Sequence, residues 1–212
     1  MRDGRHVPSA TIHRLPLYLR VLEEMSRERA TIASSSELAQ RTGFSSEQIR
    51  KDLAYFGAFG TRGLGYDTAQ LSQQLRRILG LTEPLPVALV GAGMLGTAIA
   101  RYSHRNHHDT RVVAVFDVDT ERIGKHILDV PVEPLAMLEA RVKELGIRLG
   151  IITVPDHAAQ DVLDRLAAAG VGAVLNFAPV KLKHHGHGVY VQDVDLTTEL
   201  QSLAYFARRE WQ

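Results

Sequence analysis

The 212-residue chain contains no cysteine, which excludes disulfide bonds, cysteine-ligated zinc, iron–sulfur clusters and thiol-based redox switches. It also lacks an apolar run of about 18 residues or more, the length that a membrane-spanning helix needs. The N-terminal residues 1–8 do not contain the apolar segment of a signal peptide. Together with an ordinary globular composition, 45% hydrophobic and 23% charged, these absences predict a cytoplasmic protein.

The chain has little net charge, +1 at pH 7, but that charge is unevenly distributed. Residues 1–80 contain 12 basic and 8 acidic side chains, a net charge of +4, whereas residues 81–212 contain 13 and 16, a net charge of −3. A basic segment of this kind suits contact with nucleic acid. An imbalance of this size is also common by chance. The motifs must therefore show whether the basic segment binds nucleic acid.

The first 80 residues show the periodicity of short helices. A first helix is predicted to start near residues 15–16, because proline fits best in the first turn of a helix. The capping box Ser34-x-x-Glu37 opens a second helix, which Gly43 ends. The apolar face of the first helix is predicted to consist of Ile12, Leu15, Leu19 and Leu22.

A third helix and a glycine-rich hairpin follow. Ser45-x-x-Gln48 resembles another capping box and opens a helix that extends to about Phe56. Four glycines in residues 57–66 favour a tight β-hairpin, and a fourth helix is predicted over residues 68–79. Three helices followed by a hairpin predict a winged-helix domain at residues 1–80, with the helix-turn-helix at about 17–56 and the wing at 57–66.

After a linker at residues 80–86 the pattern changes to apolar strands that alternate with helices, which is typical of an α/β domain with a parallel sheet. We predict a Rossmann-like dinucleotide-binding domain at residues 86–194 and a C-terminal dimerisation helix within 195–212. The predicted strands are 87–90, 112–116, 149–154, 171–177 and 189–191; the predicted helices are 96–104, 135–145, 158–169 and 196–211.

The strongest motif is Gly91-Ala-Gly93-Met-Leu-Gly96, which directly follows an apolar strand and opens a helix. Gly91 permits the tight turn, Gly93 lets the backbone approach a pyrophosphate, and Gly96 lets helix and strand pack closely. Asp117 ends the next strand, where it can accept hydrogen bonds from the adenosine ribose. Because no arginine occupies positions 118–120, NAD(H) is favoured over NADP(H). The alternative, a glycine-rich turn without a ligand, does not account for Asp117.

The predicted third helix carries the candidate DNA contacts. Its buried stripe would contain Ile49, Leu53 and Phe56, which leaves polar side chains on the outer face for base edges or phosphates. Arg62 at the tip of the hairpin can enter a minor groove. The alternative is a small helical domain with a solvated basic face. The candidate DNA-binding residues are Ser45, Ser46, Gln48, Arg50, Lys51, Tyr55, Gly60 and Arg62.

The sequence resembles the Rex family of redox-sensing transcriptional repressors over residues 8–206. The resemblance rests on several separated stretches in family order: Pro8-Ser-x-x-Ile12-x-Arg-Leu-Pro16-x-Tyr18-x-Arg20, Arg50-Lys-Asp-Leu-x-Tyr-Phe-Gly57, Gly60-x-Arg62-Gly-x-Gly65-Tyr66, Phe116-Asp-Val-Asp119, Thr153-Val-Pro155, Asn176-Phe-Ala-Pro179 and Leu200-Gln-Ser-Leu.

That resemblance implies a homodimer that binds a palindromic double-stranded operator and leaves it when NADH binds, so that the protein reads the NADH/NAD⁺ ratio. It also implies a last helix that swaps across the dimer. By motif, Arg20, Tyr102 and Asp195 match the switch residues of the family. The implied coenzyme-binding residues are Gly91, Ala92, Gly93, Met94, Leu95, Gly96, Asp117, Val118, Thr153, Val154, Pro155, Asn176, Phe177 and Ala178.

Three other interpretations are weighed against this one. An NAD-dependent dehydrogenase needs a substrate domain and a catalytic acid or base, for which residues 195–212 leave no room. A CoA- or nucleotide-binding module with a structural N-terminal domain is disfavoured by Asp117, because a carboxylate suits a ribose diol better than a 3′-phosphate. The histidines at 104, 107, 108, 184, 185 and 187 lack acidic or cysteine co-ligands at a recognised spacing, so no metal site is expected.

Overall fold

The computed structural model describes residues 7–57, 59–61, 63–106, 109–183 and 188–208. The chain divides into two compact units, Met1–Glu83 and Pro84–Gln212, and each has its own apolar core. The elements of the first unit are α1 (Ser9–Arg27), β1 (Ile32–Ala33), α2 (Ser35–Thr42), α3 (Ser46–Ala54), β2 (Tyr66–Asp67) and α4 (Thr68–Leu79).

Helix α1 begins at Ser9 and contains Pro16 in its interior, so the predicted start at residues 15–16 is wrong. The hydrogen bond that Pro16 cannot donate is offset by packing, because Leu15 and Tyr18 are completely buried in the core of the unit. Ile12, predicted to belong to the buried face, is 41% exposed. Tyr18 takes the central place on that face instead.

The helix caps of α2 and α3 differ, although the sequence gives both the same pattern. In α2 the predicted capping box is confirmed: the Glu37 amide donates to Ser34 Oγ at 3.1 Å, and the Ser34 amide donates to Glu37 Oε2 at 2.7 Å. In α3 the Gln48 amide donates to Ser45 Oγ, but the Gln48 side chain donates to Asp52 instead of closing the box. Helix α3 also ends at Ala54 rather than near Phe56.

The wing of the first unit is built from short pieces of strand. β2 pairs antiparallel with β1, a strand that the sequence did not predict, and Thr61 forms an antiparallel bridge with Gly65 inside the glycine-rich segment. Helix α4 has the predicted bounds. Three helices with this small sheet make a winged-helix fold; Ala58 and Arg62 lie outside the described residues.

The second unit is a Rossmann-like sheet in the order β5-β6-β4-β3-β7-β8-β9, parallel throughout except between β5 and β6. Helices cover it, as the apolar strands predicted. Its elements are β3 (Leu85–Val90), α5 (Met94–Asn106), β4 (Thr110–Asp117), β5 (His126–Ile127), β6 (Val130–Pro134), a 3₁₀ turn (Leu135–Met137), α6 (Leu138–Glu144), β7 (Leu149–Ile152), α7 (Asp156–Ala168), β8 (Ala173–Asn176), β9 (Tyr190–Asp193) and α8 (Leu196–Ala207).

In this unit the structure differs from the predicted elements at the start of β3, at β5 and β6, and in the helix predicted over residues 135–145. β3 begins at Leu85, inside the predicted linker, and tolerates Pro86 because pairing with β7 starts only at Val87. β5 and β6 were not predicted, since β6 is short and contains two prolines. The predicted helix 135–145 divides into a 3₁₀ turn and α6.

Helix α8 has no buried residue. Its apolar side chains Leu200, Leu203 and Phe206 are 56–68% exposed, and the remainder of the predicted helix, including Trp211, reaches beyond the described residues. None of the helices in the described part of the chain is long and apolar enough to cross a membrane.

Candidate coenzyme site and nucleic-acid interface

The candidate coenzyme residues lie at one edge of the sheet, where the carboxyl ends of β3, β4, β7 and β8 meet. Val90 pairs with Phe116 and with Ile152, and Ile152 pairs with Asn176. The segments that begin at Gly91, Asp117, Thr153 and Phe177 therefore all leave the sheet at the same edge. In open parallel sheets this edge is where ligands bind.

The glycine loop cannot accept side chains at its first and last glycines. Gly91 has φ +103°, and a Cβ there would lie 2.7 Å from the backbone oxygen of Thr153. A Cβ at Gly96 would lie 2.0 Å from the backbone oxygen of Gly91. At Gly93, by contrast, the nearest atom to an added Cβ is Arg122 Nη1 at 3.7 Å. The space beside Gly93 is therefore open from the side on which a phosphate approaches.

Residues 93–96 present backbone N–H groups that have no protein acceptor within the described part of the chain. The preceding Ala92 amide bonds to Asp117, and the following Thr97 amide bonds to the Gly93 carbonyl. Free N–H groups at the N-terminus of α5, with the positive end of the helix dipole, suit a pyrophosphate. The open space beside Gly93 and these donors fit a dinucleotide.

Asp117 is only 7% exposed, and its carboxylate is fully engaged. Oδ1 accepts from the amides of Val118 at 2.8 Å and Asp119 at 2.9 Å. Oδ2 accepts from the Ala92 amide at 2.7 Å and from Arg122 Nη1 at 3.2 Å. Burial alone would raise the pKa of Asp117, but these hydrogen bonds outweigh it and hold the pKa below its usual value. The carboxylate stays charged and joins β4 to the glycine loop.

The structure adds two cationic residues that the sequence analysis missed, Arg101 on α5 and Arg122 in the turn after β4. Together with the glycine loop they line a cavity of about 580 Å³. No basic residue occupies positions 118–120, but Arg122 reaches Asp117 and also pairs with Asp119 at 3.2 Å. Arg122 could have been identified by allowing for a turn after β4 that folds back toward the end of that strand.

The remaining candidate residues at this edge mostly support the fold. Thr153 Oγ1 donates to the Gly91 carbonyl at 2.8 Å and so fixes the glycine loop. Asn176 is completely buried, and its amide group donates to Asp193 Oδ1 and the Val180 carbonyl and accepts from the Ala178 amide. The other candidate side chains differ in their exposure to solvent. Met94, Leu95 (40%), Val118 and Pro155 are exposed. Val154 and Phe177 are half-buried, and Ala178 is buried.

The outer face of α3 differs in part from the predicted one. Arg50 and Lys51 are exposed, and Arg50 Nη1 donates to Ser35 Oγ at 2.8 Å. Ser45 is exposed at the N-terminus of the helix, whereas Ser46 and Tyr55 are half-buried. Gln48 was predicted to face outward, but its amide donates to buried Asp52, which makes it part of the helix support rather than of the outer face.

Asp52 is the main residue that the sequence analysis overlooked in this unit, since an aspartate beside Arg50 and Lys51 suggests a surface charge. It is completely buried. Its carboxylate accepts from Arg14 at 2.6 and 2.7 Å, Tyr18 Oη at 2.7 Å, Gln48 at 2.9 Å and Thr11 Oγ1 at 3.0 Å. Three of these partners lie on α1, so Asp52 fixes α3, the predicted recognition helix, against α1.

A groove of about 550 Å³ separates the start of α2 and Arg50 from the wing. Gly60 is required in the wing because its φ is +77° and an added Cβ would lie 2.5 Å from the Gly65 carbonyl oxygen. The predicted minor-groove contact, Arg62, lies outside the described residues.

The switch candidates lie on three elements. Arg20 is exposed on α1, Tyr102 is 60% exposed on α5, and Asp195 is the N-cap of α8, where it accepts hydrogen bonds from Thr197 and Thr198. No group of three metal-ligating side chains occurs among the described residues. His107, His108, His184, His185 and His187 lie outside them.

Comparison with known proteins identifies both units. Residues 82–180 match a family model described as "CoA binding domain", and residues 6–54 match one described as "Putative DNA-binding protein N-terminus". The chain is 49% identical over 210 residues to the redox-sensing transcriptional repressor Rex of Natranaerobius thermophilus, covering 99% of this chain and 95% of that protein. It is 45% identical to the protein of the same name from Streptomyces coelicolor, covering 98% and 80%.

Solved structures of RSP, a Rex-family repressor, resemble the chain over its whole length. The complex of RSP with β-NAD⁺ and operator DNA superposes with a TM-score of 0.88 at 36% identity, covering 96% of this chain and 94% of RSP. The complex of RSP with β-NADH gives a TM-score of 0.83 at 34% identity, covering 96% and 95%. With near-complete coverage and identities that reach 49%, the chain belongs to the Rex family of redox-sensing transcriptional repressors.

Proposed function

We propose that this protein is a DNA-binding transcriptional repressor, and not an enzyme, that releases its operator when NADH binds. The observation that carries the proposal is similarity to Rex repressors across both units at once. A winged helix alone or a glycine loop alone would leave the function open. A cytoplasmic location is part of the proposal, because the operator and the nucleotide pool that the protein senses are both found there.

On the DNA side, the exposed basic groups of α3 and the groove beside the wing would contact the operator. Arg50 and Lys51 can donate to base edges or phosphates, and Ser45 at the N-terminus of α3 suits a phosphate. Gln48, one of the candidate DNA-binding residues predicted from the sequence, would instead act through Asp52 by holding the helix in place.

On the coenzyme side, the free N–H groups of residues 93–96 would bind the pyrophosphate. Asp117 would accept hydrogen bonds from the hydroxyl groups of the adenosine ribose. Selection of NADH over NAD⁺ would follow from charge, because moving a positively charged nicotinamide ring out of water is costly. A CoA-type ligand is the second candidate, since the family model of residues 82–180 bears that description. The position of the Asp117 carboxylate at the ribose end disfavours a phosphorylated ribose.

We further propose a homodimer in which α8 is covered by a second copy of the chain. The support is that α8 has no buried residue while Leu200, Leu203 and Phe206 are all more than half exposed, an arrangement that is unfavourable for an isolated chain in water. A dimer with twofold symmetry matches a palindromic operator. A monomeric mass in light scattering would contradict this part of the proposal.

A gel shift on a palindromic operator tests the function directly, with NADH, NAD⁺, NADPH and CoA added separately. NADH should release the operator at a lower concentration than NAD⁺ does, and CoA should have no effect. Because coupling between two ligands is reciprocal, the operator must weaken NADH binding by the same factor. Release by CoA but not by NADH would assign the site to the second candidate.

Replacing Lys51 by alanine should weaken operator binding while NADH affinity stays unchanged. Lys51 is exposed on α3 and has no hydrogen bond or ion pair within the described residues, so its removal should leave the fold intact. Loss of one base or phosphate contact should cost roughly 1–3 kcal/mol. Arg77→Ala, which removes the same charge from exposed α4, is the matched control. Equal operator affinity of the two variants would exclude α3 as the recognition helix.

Replacing Arg20 by alanine should retain both ligands but uncouple them. The basis is the resemblance by motif of Arg20, Tyr102 and Asp195 to the family's switch positions, which implies that these residues would exchange partners between the DNA-bound and NADH-bound states. Measuring NADH affinity with and without operator gives the coupling, which is usually worth about 1–3 kcal/mol. Arg27→Ala, also exposed on α1, is the control. Wild-type coupling in the Arg20 variant would mean that the switch lies elsewhere.

A further inference from the structure

The Asp117 carboxylate has no spare acceptor site. A carboxylate offers about four lone-pair sites, and Asp117 already accepts four hydrogen bonds. Three of the donors are backbone amides at the end of β4 and in the glycine loop, which the sheet holds in place. The fourth is the Arg122 guanidinium. A ribose diol that is to bind Asp117 must therefore displace one of these donors.

Arg122 is the donor that can leave. Its hydrogen bond to Asp117 is the longest of the four, 3.2 Å, whereas the backbone bonds measure 2.7–2.9 Å. The Arg122 side chain is 45% exposed, so its guanidinium can return to water. It also keeps a second partner when it leaves, because Asp119 lies 3.2 Å from its Nε. Displacing Arg122 is therefore easier than displacing any backbone amide.

Arg122 also changes the charge at the ribose end of the site. A 2′-phosphate next to Asp117 would be repelled by the carboxylate, and this repulsion is the usual basis for rejecting NADPH. A guanidinium within hydrogen-bonding distance of that carboxylate partly cancels the repulsion and can itself donate to a phosphate. The same side chain therefore opposes the ribose diol and tolerates the phosphorylated ribose.

We propose that Arg122 is a specificity-determining residue of the coenzyme site, which lowers the preference for NADH over NADPH by competing with the ribose diol for Asp117 and by offsetting the charge of that carboxylate. The inference rests on the proposed function, since it assumes that the adenosine ribose binds at Asp117. It concerns selectivity between two coenzymes, so it can fail while NADH binding itself stands.

The test is a titration with NADH and NADPH, monitored by nucleotide fluorescence. It compares wild type with Arg122→Ala, Arg122→Lys and Arg101→Ala. In Arg122→Ala both coenzymes lose a cation near the pyrophosphate, so the ratio of their affinities carries the effect: the preference for NADH over NADPH should rise by roughly threefold to tenfold, the change expected for one hydrogen bond or screened charge. Arg122→Lys keeps the charge but loses the planar fork, so its selectivity should fall between wild type and alanine.

Arg101→Ala is the matched control, because Arg101 lines the same cavity but has no bond to Asp117 or Asp119 among the described contacts. It should weaken both coenzymes by a similar factor and leave their ratio unchanged. An Arg122→Ala variant whose preference for NADH over NADPH is unchanged or lower than that of wild type would overturn the inference. A wild-type protein that binds neither coenzyme would instead overturn the proposed function.

Discussion

Replacing Asp52 by asparagine is expected to unfold the N-terminal unit or nearly so, and to abolish operator binding as a result. An asparagine amide would point donor hydrogens at Arg14 or Tyr18, which are donors themselves, and it would leave the Arg14 charge without its counterion. Breaking a buried ion pair by removing one partner costs about 3–5 kcal/mol. That is a large share of the ~5–15 kcal/mol that stabilises a typical domain.

Urea denaturation of the intact chain, monitored for each unit by hydrogen exchange, measures this effect. Residues of α1 and α3 should lose protection while the sheet of the second unit keeps it. The control is Glu28→Gln, which breaks the exposed Arg41–Glu28 pair in the same unit and should change stability little. An Asp52→Asn variant as stable as this control would mean that the buried hydrogen bonds do not hold α3 against α1.

The same carboxylate predicts the pH dependence of the first unit. Burial works to raise the pKa of Asp52, but hydrogen bonds led by Arg14 and Tyr18 outweigh it and lower the pKa to about 2. Since an unfolded aspartate has a pKa of about 3.9, the stabilisation is complete above that value and is lost as the pH falls toward about 2. In wild type the first unit should therefore lose stability across this acidic range.

Substitutions at two glycines of the same loop should separate folding from coenzyme binding. In Gly96→Ala the added Cβ would lie 2.0 Å from the Gly91 carbonyl oxygen, so the loop and the start of α5 must move. Overpacking of this kind costs roughly 1–3 kcal/mol of stability. The displaced amides at the start of α5 should also bind a phosphate less well: loss of two hydrogen bonds to a charged group, at about 1.5–3 kcal/mol each, would weaken NADH binding at least ~100-fold.

Gly93→Ala should fold like wild type and yet bind NADH poorly. Its Cβ would meet nothing closer than Arg122 Nη1 at 3.7 Å, an ordinary contact, but the methyl group would stand where the pyrophosphate approaches. Thermal unfolding and NADH titration of both variants measure the two effects independently. Normal NADH binding by Gly93→Ala would place the pyrophosphate elsewhere on the chain.

Features that depend on local chemistry could be predicted from the sequence. The capping box at Ser34, the bounds of α4 and the approximate positions of the main parallel strands along the chain follow from short-range patterns, and the structure has them. The glycine loop and Asp117 could be identified because the fingerprint fixes both their spacing and their place between strand and helix.

Features that depend on contacts formed in the folded chain were missed or predicted wrongly. Pro16 signalled a helix start, but tertiary packing of α1 carries the helix past it. Gln48 matched a capping box, yet its side-chain amide donates to Asp52, four residues later, instead of to the N-cap. The role of Arg122 was not predicted, because only the folded turn brings its side chain back to Asp117. The contacts that decide Pro16 and Arg122 exist only in the folded chain, whereas the Gln48–Asp52 contact joins neighbours on one helix face and its four-residue spacing could have indicated it.

The connection between the sheet and α8 is short. β9 ends at Asp193 and α8 begins at Leu196; of the two residues between them, Val194 donates to the Asn176 carbonyl at 2.8 Å and Asp195 caps the helix. A twelve-residue helix is about 18 Å long, so a tilt of ~10° at its base displaces its far end by about 3 Å. Because both connecting residues are held by hydrogen bonds, a small displacement at the carboxyl edge of the sheet would be passed on to the far end of α8 as a larger one.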